Sequence, residues 1–151
     1  MLWNNELSSH RAISLFVAHF TRHRSSHQTL ALTAPAPQID IGCRQWPMGA
    51  IVRYKPLGVL AMIDDGETDW KVIGIAEEDP MAPLLEDIDD VLDVAGGAAE
   101  SFREWMRLYK TPDINKFALR EEYQNRAFAL EVIEETHQQW AAYKAKLSSS
   151  S

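Results

Sequence analysis

The chain contains a single cysteine, Cys43, so it cannot form an intramolecular disulfide, and this usage is typical of a reducing compartment. With one cysteine, the chain has no pair of cysteines to bind zinc, and no zinc site is predicted. No stretch approaches the ~20 apolar residues that a transmembrane helix needs, so no membrane span is predicted. Basic residues are also scarce, with 15 Lys and Arg against 22 Asp and Glu and a formal net charge of −7. That balance argues against nucleic acid or an anionic membrane as a partner, because both bind basic surfaces.

The composition is otherwise that of one globular domain. The 151 residues are 46% hydrophobic and 25% charged, which is enough for one hydrophobic core but not for two independent domains. We therefore predict a folded domain at residues 39–147. It is preceded by a divergent segment, residues 1–38, and followed by a disordered tail, residues 148–151.

The N-terminal segment, residues 1–38, differs in composition from the rest. Glu6 is its only acid, while three arginines, four histidines and several serines precede an Ala-Pro-Ala-Pro sequence at 34–37. Such acid-poor termini resemble mitochondrial transit peptides. The competing interpretations are disorder and a terminus without a selected function. We accordingly predict a cytoplasmic protein, with a mitochondrial location as the alternative.

The most informative segment is acidic and lies between two apolar runs, residues 56–63 and 72–75. Four carboxylates fall within six positions: Asp64, Asp65, Glu67 and Asp69. The runs are typical of buried strands, and Gly66 supplies a turn between them. Asp69 and Lys71 lie two apart, so their side chains should share one face of a strand. A carboxylate beside an ammonium suits a site for Mg²⁺ and phosphate, and a solvated hairpin loop is the alternative.

Two helices are predicted in the second half of the chain. An aromatic stripe recurs at helical spacing: Phe102, Trp105, Met106 and Tyr109. A helix around residues 98–109 should bury this stripe and bring Tyr109 and Lys110 to its end. A second helix is predicted from about residue 121 to 146. A strand at residues 50–55 should end at the following proline.

Several blocks of residues follow one another in a specific order. They are residues 58–75, 78–80, 87–91, 105–113, 115–118 and 136–140. Together they resemble soluble family I inorganic pyrophosphatases, particularly the eukaryotic branch, although Asp65 stands where the family's D-E-G-E-T-D-W-K segment has glutamate. The resemblance covers residues 39–146, about the C-terminal half of a family member.

The resemblance implies Mg²⁺-dependent hydrolysis of inorganic diphosphate to two phosphates. Carried over position by position, it makes Asp64 and Asp69 metal ligands and Lys71, Tyr109 and Lys110 phosphate ligands. The implied fold is α+β, a partial, open pyrophosphatase-type mixed β-barrel with two packed helices. Its unpaired strand edges should favour a homodimer or association with a full-length relative.

One family motif is not matched. Aligning residues 39–42 with the stretch after the family's D-x-D-P-x-D run puts three residues without carboxylates at the aspartate positions: Leu32, Ala34 and Pro37. None of these side chains can coordinate Mg²⁺, so no catalytic residue is assigned. The alternative function is therefore a truncated, catalytically impaired paralogue or fragment that binds phosphate or metal, or associates with another subunit. A deletion after Asp113 also removes a family lysine, for which Lys116 is the candidate substitute.

Overall fold

A computed structural model describes residues 38–47 and 50–149. The elements are β1 (Gln38–Asp40), β2 (Tyr54–Asp64), β3 (Glu67–Ala76), α1 (Ile88–Leu108), β4 (Lys116–Phe117), β5 (Gln124–Asn125) and α2 (Arg126–Ser149). The N-terminal segment predicted at residues 1–38 lies outside the described residues except for Gln38.

A hairpin forms the centre of the fold. β2 and β3 pair antiparallel with Asp64 opposite Glu67, so that only Asp65 and Gly66 lie in the turn. Their φ angles are 51° and 87°, as a two-residue type I′ turn requires, and Asp-Gly is a preferred sequence for that turn. The turn predicted at Gly66 is confirmed.

The strands form one mixed, open sheet. β1 pairs in parallel with β3, while β3, β4 and β5 all pair antiparallel with β2. Within the described ranges, β1 does not pair with β4 or β5, and the sheet does not close. The predicted fold class, an open mixed sheet with two packed helices, is confirmed.

The two helices cover opposite faces of the hairpin. On one face α2 contributes Ala129, Val132 and Ile133, which pack against Val59 and Val72. On the other face the start of α1 joins one buried cluster: Leu57, Ile73, Ile75, Ile88 and Val91. The end of α1 joins another: Leu60, Met62, Met106 and Phe117. The end of α1 is thereby brought to the end of β2.

Helix α1 begins at Ile88, ten residues before the predicted start. Asp87 is its N-cap and forms a capping box with Asp90. In this box each side chain accepts a hydrogen bond from the backbone N–H of the other residue. The backbone departs from helical geometry at Ala95, with φ −140° and ψ 34°. This kink precedes two glycines, which interrupt the helical pattern in the sequence.

Helix α2 begins at Arg126, later than the predicted residue 121, because the intervening residues form β5 and a turn. It continues to Ser149 and so includes two residues of the segment 148–151 that the sequence predicts as a tail. No helix within residues 38–47 and 50–149 is long and apolar enough to cross a membrane.

Pro56 lies inside β2, so the predicted strand end at this proline is wrong. The register shifts between Pro56, opposite Gly74, and Gly58, opposite Ile73, which leaves Leu57 as an extra residue. A β-bulge of this kind accommodates a residue without an N–H group inside a sheet.

Gly58 lies where β2 passes close to two neighbours. A Cβ here would be 2.6 Å from the carbonyl oxygen of Gln124 and 2.8 Å from Cβ of Ile88. We predict that Gly58→Ala lowers the free energy of unfolding by about 1–3 kcal/mol, measured by urea denaturation. Gly97→Ala is the control, because its Cβ would meet no described atom within 4 Å. Equal losses in both variants would contradict the steric explanation.

Asp79 joins the loop after β1 to the loop after β3. Its buried carboxylate accepts hydrogen bonds from the backbone N–H groups of Cys43, Arg44 and Met81 at 2.9, 3.0 and 2.9 Å. The bond from Met81 is the largest influence. With the bonds from Arg44 and Cys43 it outweighs burial and holds the pKa of Asp79 below its ordinary value of 3.8.

The lowered pKa of Asp79 makes stability depend on pH. Its contribution is fully present above the pKa of the unfolded chain and is lost as the pH falls through 3.8 toward the folded value. We predict that Asp79→Asn lowers the melting temperature at neutral pH and flattens the loss of stability below about pH 5. Thermal melts of this variant and of the exposed Asp113→Asn test this. An unchanged acid slope in Asp79→Asn would contradict it.

Candidate functional site

One face of the hairpin presents three of the five predicted site residues. Asp64 lies opposite Glu67, and Met62 lies opposite Asp69. Side chains two apart on a strand share a face, as do directly paired residues. Asp64, Asp69 and Lys71 therefore project from the face that α1 covers, with Asp64 and Asp69 as diagonal neighbours across the two strands.

The first ion pair of the site joins Asp69 and Lys71 within β3. The ammonium nitrogen of Lys71 lies 2.7 Å from Oδ2 of Asp69, and the two side chains are 13% and 29% exposed. The shared face that the spacing predicts for these residues is confirmed. The carboxylate holds the ammonium group in one orientation near the protein surface.

The second ion pair joins the end of α1 to the end of β2. Nζ of Lys110 donates to Oδ1 of Asp64 at 2.5 Å. Burial lowers the pKa of Lys110, but the hydrogen bond to Asp64 and the charge of that carboxylate, together with the neighbouring Tyr109, outweigh it, so the net pKa is raised. Lys110 is therefore an ammonium at neutral pH.

Tyr109 is placed beside this pair, but the aromatic stripe is only partly buried. Met106 is buried and Phe102 is half-buried, whereas Trp105 and Tyr109 are 57% and 45% exposed. The predicted burial of Trp105 and Tyr109 is wrong. Consecutive helical residues point about 100° apart, so Trp105 lies on the flank when Met106 faces the sheet. Trp105 instead stacks on Tyr109, with ring centroids 5.4 Å apart.

Asn115 fixes the loop that follows α1, a role that the sequence analysis missed. Its buried side chain donates from Nδ2 to the carbonyl oxygen of Met106 at 2.8 Å. Its backbone N–H donates to the carbonyl oxygen of Arg107 at 3.0 Å. Thr111 donates to the carbonyl oxygen of Leu108. The last carbonyl groups of the helix are thereby paired, and Tyr109 and Lys110 are held within this loop.

A turn of unusual backbone conformation faces the end of α1. Leu119, Arg120 and Glu121 have φ angles of 51°, 59° and 63°. Each such residue other than glycine costs about 1–2 kcal/mol relative to the right-handed conformation. Glu121 accepts hydrogen bonds from Arg107 at 2.7 and 3.1 Å. These bonds, together with a hydrogen bond to the carboxylate of Glu104, raise the pKa of Arg107. The hydrogen bond from Arg107 lowers the pKa of Glu121.

The residues on the hairpin face fit a partial Mg²⁺ site. Within the described ranges, no group of three His, Cys, Asp or Glu side chains could enclose a metal ion. Asp64 and Asp69 nevertheless match the kind of site that uses one or two carboxylates, with water and substrate phosphate completing the octahedron. The ammonium group of Lys110 lies beside the carboxylate of Asp64, and that of Lys71 lies beside the carboxylate of Asp69.

Lys116 is not part of this arrangement. It lies on β4 opposite Ile63, whereas its neighbour Phe117 lies opposite Met62. Paired residues project to the same side, so Lys116 points to the face opposite Asp64. The suggested substitute for the deleted family lysine is therefore wrong.

Comparison with known proteins identifies relatives of the chain. The family model for inorganic pyrophosphatase matches residues 33–141. The chain is 45% identical over 115 residues to the inorganic pyrophosphatase of Bos taurus, covering 74% of this chain and 40% of the relative. It is 46% identical over 109 residues to inorganic pyrophosphatase 2, mitochondrial, of Mus musculus, covering 70% and 33%. The chain thus spans well under half the length of these curated relatives.

Solved structures agree with the sequence relatives. An N-terminally truncated vacuolar soluble pyrophosphatase of Trypanosoma cruzi, solved in complex with PPi, has a TM-score of 0.68 at 40% identity, covering 72% of this chain and 42% of that one. The inorganic pyrophosphatase of Schistosoma japonicum has a TM-score of 0.66 at 44% identity, covering 68% and 38%. Because the family model spans more than half of the sequence and the fold is shared, this chain belongs to the inorganic pyrophosphatase family.

Proposed function

We propose that this chain binds inorganic diphosphate together with Mg²⁺ on the hairpin face and hydrolyses it to two phosphates. The observation that carries the proposal is the convergence of two carboxylates and two ammonium groups, Asp64 with Lys110 and Asp69 with Lys71. Membership of the family supports it, as does the relative whose structure contains PPi.

Asp64 and Asp69 are the proposed metal ligands. When bound, Mg²⁺ neutralises charge on the diphosphate and lowers the pKa of the attacking water. Screening of this kind matters for a chain with a formal net charge of −7, because an acidic protein repels an anionic substrate.

Lys71 and Lys110 are the proposed phosphate ligands, each acting as a point charge on phosphate oxygens. Their pairing with Asp69 and Asp64 keeps both ammonium groups on the site face before the substrate arrives. Tyr109 adds a phenolic hydroxyl, which can donate to a phosphate oxygen. Hydrolysis adds water across one P–O–P bridge, so one phosphate leaves as the other gains the water oxygen.

A second function is binding of phosphate or metal without hydrolysis. The resemblance implies that Leu32, Ala34 and Pro37 stand at three aspartate positions of the family. Among the described residues, no third carboxylate completes a metal site with Asp64 and Asp69. In this reading the chain binds the ligands but lacks a group that positions the attacking water.

The test is phosphate release from diphosphate by the purified chain, with Mg²⁺ or with excess chelator. We expect release that depends on Mg²⁺ and falls about tenfold in Lys110→Gln, since one charged hydrogen bond to phosphate is lost. Asp65→Asn is the matched control, because its side chain lies in the exposed turn and asparagine tolerates positive φ.

Calorimetric titration of diphosphate without metal separates the two functions. Binding without phosphate release above that of a heat-inactivated sample supports the second function. Absence of release, together with absence of binding in separate titrations of diphosphate and of Mg²⁺, would contradict both proposals. Equal release by wild type and Lys110→Gln would contradict the assignment of Lys110 as a phosphate ligand.

We propose a cytoplasmic location, with the mitochondrion as the alternative, and self-association or association with a full-length relative through the open sheet. The single cysteine supports the first location, and a mitochondrial relative supports the second. Fluorescent fusions with and without residues 1–38 test the location. Light scattering after gel filtration tests the association, and a monodisperse monomer would contradict self-association.

A further inference from the structure

We propose that Arg107 and Glu121 form a positioning pair that holds Tyr109 and Lys110 against Asp64. Neither side chain is hydrogen-bonded to any of the five proposed site residues, so the pair would act through the end of α1. The role in ligand binding rests on the proposed function, whereas the structural tie can be tested without it.

The guanidinium of Arg107 is held on three sides. Nη2 and Nη1 donate to the two carboxylate oxygens of Glu121 at 2.7 and 3.1 Å. Nε donates to Glu104 at 3.1 Å, and the guanidinium carbon lies 5.0 Å from the centroid of the Phe117 ring. Paired hydrogen bonds from a planar fork fix orientation as well as distance. Arg107 therefore gives the last turn of α1 one defined position.

Glu121 connects this helix to the central hairpin. It lies in the left-handed turn, and its backbone N–H donates to the carbonyl oxygen of Ala118 at 2.9 Å. The N–H of Ala118 in turn donates to the carbonyl oxygen of Ala61 at 2.9 Å. Ala61 precedes Asp64 by three residues on β2. The Arg107–Glu121 pair thus ties the helix that carries Lys110 to the strand that carries Asp64.

The backbone of the turn supports a role beyond packing. Three consecutive residues with positive φ and no glycine persist only where surrounding contacts hold them. Arg107 binds the side chain of Glu121, and Nη1 of Arg103 donates to its carbonyl oxygen at 3.0 Å. Both arginines come from α1, so the contacts that hold the turn also hold the helix that precedes Tyr109 and Lys110.

The test of ligand positioning compares Glu121→Gln with Glu122→Gln, the neighbouring exposed residue. Inorganic phosphate is the probe, titrated by calorimetry. We expect Glu121→Gln to weaken phosphate binding about tenfold, as loss of an orienting group does around bound ligands. The control should bind as wild type does. In a Tyr109→Phe, Lys110→Gln background the further loss should be under about twofold, because the pair acts through these two residues. An equal loss in both backgrounds would overturn the proposal.

Amide hydrogen exchange tests the tie independently of any ligand. In Glu121→Gln, exchange of the amides of residues 109–115 should accelerate about tenfold or more, while amides of β2 and β3 change little. Arg107→Lys is the milder second variant, because it keeps the charge but cannot form the paired hydrogen bonds. If wild type neither binds phosphate nor releases it from diphosphate, the proposed function fails, and exchange alone decides. Acceleration at residues 109–115 and in the turn at residues 119–121, with little change in β2 and β3, supports the pair, and uniform acceleration overturns it.

Discussion

Replacing Asp69 with asparagine is expected to reduce Mg²⁺-dependent phosphate release by roughly 100-fold to 1,000-fold. The amide is nearly isosteric with the carboxylate but neutral, so it removes a proposed metal ligand. It also removes the partner that lies 2.7 Å from the ammonium nitrogen of Lys71. The two losses act on the same substrate, which is why the expected effect exceeds that of a single phosphate contact.

Initial rates over a range of Mg²⁺ concentrations measure this effect. In Asp69→Asn the Mg²⁺ concentration for half-maximal rate should rise, and the rate at saturating Mg²⁺ should stay low. Asp65→Asn changes the same group four residues earlier, in the turn, and should retain the rate of wild type. A rate for Asp69→Asn within about threefold of wild type would remove this residue from the site.

Replacing Leu60 with alanine is expected to lower the free energy of unfolding by about 2–5 kcal/mol. Leu60 is 0% exposed and packs with Met62, Met106 and Phe117 between the hairpin and the end of α1. Shortening it leaves a cavity that neighbours from three elements cannot fill together. A domain of this kind has only about 5–15 kcal/mol in total, so the variant should be close to unfolding.

Urea denaturation at neutral pH measures the loss. Leu84→Ala is the matched control, because the same atoms are removed from a side chain that is 70% exposed, and its effect should stay within about 0.5 kcal/mol. Leu60→Met conserves volume and should cost less than about 1.5 kcal/mol. Similar losses in Leu60→Ala and Leu84→Ala would contradict the assignment of Leu60 to the core.

Local patterns in the sequence predict the hairpin well. Apolar runs on either side of an Asp-Gly pair indicate two strands and a tight turn, and the two-residue spacing predicts that Asp69 and Lys71 meet. The turn and the Asp69–Lys71 pair depend on residues fewer than ten apart. The two helices were predicted from helical spacing, and the open mixed sheet on which they pack was predicted through the resemblance to a family.

Features that depend on distant residues were not predictable in the same way. The start of α1 was hidden by the kink at Ala95 and the glycines after it. The prediction that Trp105 is buried was wrong, because helical spacing defines a stripe of residues but not which side of the stripe packs against the sheet. The pair of Arg107 and Glu121 joins residues 14 apart through a turn that contains no glycine, so no composition signal marks it.

The two ion pairs of the site differ in the length of chain between their partners. Asp69 and Lys71 are two residues apart within a hairpin, a unit that typically forms in about 1–10 μs. Asp64 and Lys110 are 46 residues apart, and closing a loop of that length costs entropy that later contacts must offset. The acidic half of the site can therefore form early in folding. The lysine that joins it from α1 requires the longer loop to close.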